Sequence, residues 1–171
     1  MDRIQSQLLA TLGAKTWEQR EKAFRTLQQQ GTLAIEALIE GTRHADWRVR
    51  RSCADLMDHL ADTRCVEPLL ALLDDPIEAV RRLAVHALSC QGCKVCPLNI
   101  DIVGNLVKVI QTDRSIRVRR VATHQLGCQP QDPRAVEALS ALLTSERDTK
   151  ILSNAKWALQ QQQASFVQGV L

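Results

Sequence analysis

Asp74-Asp75-Pro76-Ile77-Glu78-Ala79-Val80-Arg81-Arg82-Leu83-Ala84-Val85-His86-Ala87-Leu88 is the stretch whose reading decides the fold. Asp75 followed by Pro76 is a helix start: the carboxylate can accept from free N–H groups of the first turn, and proline at that point gives up no hydrogen bond. Val80, Ala84, Ala87 and Leu88 then stand at i, i+4, i+7 and i+8, the spacing of a helix with one buried face. The small residue at the second of these positions lets a neighbouring helix approach closely.

The same pattern recurs along the chain. With Val80 as position zero, Val49 and Val118 are its equivalents, each followed by Arg-Arg. Position four then holds Cys53, Ala84 and Ala122, and position eight holds Met57, Leu88 and Leu126. Gln19 with Ala23 and Leu27 forms a weaker first copy, and Ile151 with Ala155 and Leu159 a weaker last one. The copies start near 19, 49, 80, 118 and 151, at intervals of 30, 31, 38 and 33 residues. Self-similarity at such a period is the signature of a repeat architecture. Each copy, called helix B, is preceded by a second helical run, helix A: Ile4 to Leu12, Ala34 to Ile39, Val66 to Leu73, Ile102 to Ile110 and Ala135 to Leu143. Thr16, Asp46, Asp75, Asp113 and Asp148 are the expected N-caps of the B helices.

From about Trp17 to Gln162 these residues resemble HEAT-like repeats of the short kind found in phycobilisome lyase-type proteins, most specifically over Asp74 to Leu88. The resemblance implies an all-α solenoid, a superhelix of about five helix-turn-helix repeats in a single domain, 1–171. It also implies that the B helices line the concave side. Tetratricopeptide repeats have a similar period, but their Trp, Gly and Tyr pattern is missing and the chain has no Tyr. The Thr-Pro-Leu-His of ankyrin repeats does not occur either.

Composition agrees with a helical core. Apolar residues make up 45 %, yet aromatics only 3 %, so Leu, Val, Ile and Ala must fill it. A formal charge of +3 is too slight to mark a nucleic-acid binder. No apolar stretch approaches the roughly 20 residues of a membrane span, and the first residues lack a basic region followed by an apolar segment. A cytoplasmic protein is expected.

A solenoid's stability comes from contacts between neighbouring repeats, so activity depends on the surface left over. At 100° per residue, positions two, six and nine of helix B point away from the buried stripe. Position two reads Glu21, Arg51, Arg82, Arg120 and Ser153, and position six reads Arg25, Asp55, His86, His124 and Trp157. Arg51, Arg82, Arg120, His86, His124 and Trp157 are therefore the expected partner-binding residues, suited to an acidic protein segment. The competing reading is a structural ladder in which the Val-Arg arginines bind Asp46, Asp75 and Asp113 of neighbouring turns. Trp17 and Trp47, both two residues before position zero, are expected to close gaps between helices. The alternative for Trp157 is coverage by the tail, 160–171, which carries Phe166, Val167, Val170 and Leu171, or by a second copy of the chain.

The longest interval contains Cys90-Gln-Gly-Cys93-Lys-Val-Cys96-Pro97, a Cys-bearing insertion at 90–97. Its spacing resembles the first part of an iron-sulfur binding run, with the fourth Cys absent locally. Cys90 and Cys128 both occupy position ten of their repeats, as does His59. Cys90, Cys93, Cys96 and Cys128 thus form a candidate set for zinc or an iron-sulfur cluster, with His59 or His86 as substitutes. Reversible oxidation and plain packing are the alternatives. Cys53 and Cys65 are expected in the core.

Enzyme signatures are lacking: there is no phosphate-binding Gly-rich loop, no Gly-x-Ser-x-Gly and no His-Glu-x-x-His. None of His44, His59, His86 or His124 is followed by Glu, unlike the pairs of iron-dependent HEAT-like hydroxylases. The expected function is a non-catalytic scaffold that binds a protein, with no cofactor required. A metal-binding role for the Cys loop and an accessory role in a bilin lyase-type complex are the alternatives.

Overall fold

The computed structural model describes residues 3–60, 62–90, 92–93 and 98–164, and among these the regular structure is all helical. The helices are α1 Arg3–Leu12, α2 Trp17–Gln30, α3 Ile35–Gly41, α4 Trp47–Asp58, α5 Val66–Ala71, α6 Glu78–Ser89, α7 Ile102–Thr112, α8 Ile116–Gly127, α9 Pro133–Ser145 and α10 Thr149–Gln163. Short 3-10 turns, Gly31–Ala34, Thr63–Cys65 and Leu72–Asp74, flank α3 and α5. Helices A and B thus alternate five times, with bounds within a few residues of those read from periodicity.

The chain divides into two compact units, Met1–Leu88 with Gly92–Asn99, and Ser89–Gln91 with Ile100–Leu171. In the first, α1 packs on α2, α3 and α4, and α2 also meets α4. In the second, α8 packs between α7 and α10, and α9 meets both α7 and α10.

The repeated positions form the core. Val49, Val80, Val118 and Ile151 at position zero are fully buried, as are Cys53, Ala84, Ala122 and Ala155 at position four. Gln19, at position zero of the first copy, is exposed instead. Full burial of each Leu, Ile or Val is worth about 1.5–3 kcal/mol, which is why a chain nearly without aromatics can hold these interfaces.

Five turns are closed by an aspartate accepting from the backbone two residues on: Asp46 from Arg48, Asp62 from Arg64, Asp75 from Ile77, Asp113 from Ser115 and Asp132 from Arg134. Asp113 is therefore a turn residue rather than the N-cap of α8. Ser115 is the cap, its Oγ accepting from Arg117 N at 3.2 Å. Thr16 precedes α2 but its hydroxyl donates to Gln19 Oε1 and accepts no capping bond.

Candidate functional site

The arginine one residue after position zero is structural throughout. Arg20, Arg50, Arg81 and Arg119 each direct Nη1 at the carbonyl six residues back, on Ala14, His44, Asp75 and Asp113, at 2.7–3.1 Å. This pins the turn between helices A and B, where carbonyls at the end of A lack helical partners. Arg50 also grips the Asp75 carboxylate, and Arg119 reaches Glu146 at 3.1 Å. The neighbouring-turn Asp pairing of the ladder is thus seen for Arg50 with Asp75, while Arg20, Arg81 and Arg119 anchor to carbonyls of their own turn.

Position two is mixed. Arg120 is bound bidentately by Asp148, Nε to Oδ1 at 2.9 Å and Nη2 to Oδ2 at 2.6 Å, and that pair holds the Asp148 carboxyl down at about 2. Arg82 is exposed, and Arg51 is half-buried. Arg51 lines a groove with Trp17, Arg20, Glu21, Phe24, Ser52 and Asp55. Burial pushes the Asp55 carboxyl up from its ordinary range. Trp17 does not close a gap as expected: the residue is 65 % exposed and lines this groove from the first position of α2. Trp47 is half-buried beneath the Arg48 guanidinium, which sits 5.0 Å from its ring centroid.

In the second unit, His124 and Trp157 stack at 4.6 Å between ring centroids, with an interplanar angle of 10°. Cys128 Sγ is 3.9 Å from His124 Nδ1, one helical turn away. The expected cover for Trp157 from 166–171 lies outside the described residues. A Cβ on Gly127 would stand 2.5 Å from the Trp157 ring, so this close approach of α8 to α10 requires glycine.

His86, expected on the outward face, has a different setting. Its Nε2 lies 3.3 Å from Asp58 Oδ2 and 3.7 Å from Cys93 Sγ. Asp58 ends α4 at position nine of its repeat and was expected to face outward, yet it is only 2 % exposed, because His86 of the next B helix packs over it. The ligand atoms of Asp58, His86 and Cys93 lie within 4.8 Å of one another. Cys90 follows His86 by four residues and precedes Cys93 by three. His59 is exposed, and Cys96 lies outside the described residues. Cys53 and Cys65 are fully buried, and burial pushes the Cys53 thiol up to about 12.

A further feature escaped the repeat reading. Gln129 and Gln162, both at position eleven, are buried and cap helix ends: Gln129 Nε2 donates to Ser89 O and Gln125 O, and Gln162 Nε2 to Leu126 O and Gln129 O. The glutamine recurrence was visible at Gln30, Gln91, Gln129 and Gln162. Its polarity made it look like surface.

Residues 35–94 match the family described as HEAT repeats. That stretch carries HEAT-like repeats. No curated protein matches this chain in sequence. Among solved structures it is similar to a chain in the complex of CpcE and CpcF of phycocyanin lyase from Nostoc sp. PCC7120, at 19 % identity and a TM-score of 0.73, over 90 % of this chain and 96 % of that one. It is also similar to a designed armadillo repeat protein in complex with the peptide (KR)4, at 20 % identity and a TM-score of 0.56, over 94 % of this chain and 82 % of that one. At these identities the likeness is one of fold. Among the described residues, no helix is long and apolar enough to cross a membrane.

Proposed function

We propose that this helical-repeat protein is a non-catalytic scaffold that binds a protein partner on the outward face of its B helices, with the groove along α2 and α4 as the principal contact. Trp17 carries this reading. A tryptophan 65 % exposed at the rim of a groove is the kind of side chain that dominates binding energy when a partner covers it. Around it, Arg51 offers a guanidinium to acidic groups of the partner, while Glu21 and Asp55 offer carboxylates. Arg82 is exposed on α6 and offers a further guanidinium, and His124 with Trp157 forms a second aromatic surface in the other unit.

The fold likeness supports binding as the role. The lyase chain occurs in a complex with a partner subunit, and the designed armadillo protein holds a peptide. An accessory role in a bilin lyase-type complex draws on the first of these alone. The test is affinity capture from the native host followed by titration of the purified partner. Trp17→Ala with Arg51→Glu should weaken binding at least about tenfold, while Arg64→Glu, beside helix α5, should leave it unchanged. Equal affinity for the groove variant and the native chain would remove the groove from the function. A second helical-repeat subunit as the captured protein would favour the lyase-type role.

A further inference from the structure

Two acceptor-type atoms converge on one nitrogen in the first unit. Asp58 Oδ2 stands 3.3 Å from His86 Nε2, and Cys93 Sγ stands 3.7 Å from the same atom. A carboxylate oxygen, an imidazole nitrogen and a thiol sulfur thus face one common point. Their separations match the edges of a coordination tetrahedron. With bonds of about 2.0 Å to nitrogen and oxygen and about 2.3 Å to sulfur, tetrahedral angles separate N from O by about 3.3 Å and N from S by about 3.5 Å.

We propose that Asp58, His86 and Cys93 bind one zinc ion, with Cys90 as the fourth ligand. Cys90 is assigned from the chain itself: Cys90-Gln-Gly-Cys93 is a Cys-x2-Cys pair, the spacing by which two thiolates close on one metal. Two thiolates, an imidazole and a carboxylate are a borderline-soft set that suits zinc and disfavours magnesium and calcium. An iron-sulfur cluster takes predominantly thiolates, so the carboxylate at Asp58 speaks for a single ion. The charge also fits. Asp58 is 2 % exposed, and a divalent cation is a suitable counter-charge for a carboxylate so deeply buried. Binding releases the protons of both thiols and leaves the bound group with four protein ligands and no open position.

The ion would tie the end of α4 to α6 and to the Cys-bearing insertion, which gives the irregular interval between the third and fourth repeats a purpose. The site shares no residue with the Trp17 groove, so its zinc affinity is tested independently of the partner-binding reading.

The test uses the full chain, purified anaerobically with reductant, stripped with chelator and titrated with zinc against a chromophoric competitor. About one equivalent should bind, and X-ray absorption of the native chain should show two sulfur and two nitrogen or oxygen neighbours at about 2.3 and 2.0 Å. Asp58→Asn, His86→Gln, Cys90→Ser and Cys93→Ser should each weaken zinc at least about tenfold, and Cys128→Ser should not. Uptake below about a tenth of an equivalent overturns the proposal. So do a spectrum with no sulfur or with four sulfurs, unchanged affinity in the Asp58 and His86 variants, and a Cys90–Cys93 disulfide that persists under reductant. Should a variant fail to fold, the absorption spectrum of the native chain decides.

Discussion

Arg50 holds Asp75 with both ends of one guanidinium edge, Nε to Oδ2 at 2.6 Å and Nη2 to Oδ1 at 3.0 Å, so the second B helix is bolted to the turn that starts the third. The side chains are 13 % and 4 % exposed. Its strength comes from completeness: the same guanidinium also bonds two carbonyls, and the same carboxylate closes the Ile77 turn. Arg50→Ala leaves a buried carboxylate without its counter-charge and should cost about 3 kcal/mol in urea denaturation. Arg50→Lys should recover only part of this, because an ammonium cannot reproduce the two-pronged geometry.

Acid should loosen the second unit. Asp148 has its carboxyl held at about 2, below the ordinary 3.8, chiefly by the hydrogen bonds from Arg120. A depressed carboxyl contributes stability that is fully present above its unfolded value and is lost as pH falls through the folded one. The loss should therefore develop between about pH 4 and 2. Asp148→Asn, followed by melting temperature against pH, should flatten this part of the acid limb. Asp101, Asp132 and Glu146 are lowered in the same unit and will leave a residual slope.

Gln162 is a buried cap whose loss should be felt at a distance. Its amide nitrogen serves Leu126 O and Gln129 O at the end of α8, and its oxygen accepts from Asp132 N at 2.9 Å. Gln162→Leu keeps the volume but strands these backbone groups, at about 1–3 kcal/mol. Hydrogen exchange at Asp132 N should accelerate in that variant, and an unchanged rate would show that the cap is idle.

Gly127 should not tolerate a methyl group. The added Cβ would stand 2.8 Å from the Ala158 backbone as well as against the Trp157 ring. Gly127→Ala should destabilise by about 1–3 kcal/mol through overpacking. Because Trp157 stacks on His124, the variant should also shift the tryptophan fluorescence contributed by that pair.

Much of the fold was legible because its signals are local. Val80, Ala84 and Leu88 announce their own buried face, and Asp-Pro announces its own turn. Where the reading failed, the reason was a neighbour. Asp58 sits opposite Val49 on α4 and so looked outward, but His86 covers it. Trp17 looked like a gap filler and is exposed at the start of α2. Ser115 displaced Asp113 as the α8 cap because the turn is two residues longer than the Asp pattern suggested.

The sequence by itself determined that this chain is a series of helix pairs, where each helix runs, and which residues form its buried stripe, since those follow from periodicity within a dozen residues. Only the tertiary structure decided what the charged and polar side chains do. Arg50 meets Asp75, Arg120 meets Asp148, and Gln162 meets Leu126 across 25, 28 and 36 residues. Asp58 meets His86 in the same way. Such partners depend on the rotation and register of one helix against the next, which packing of the whole interface sets and no single helix records.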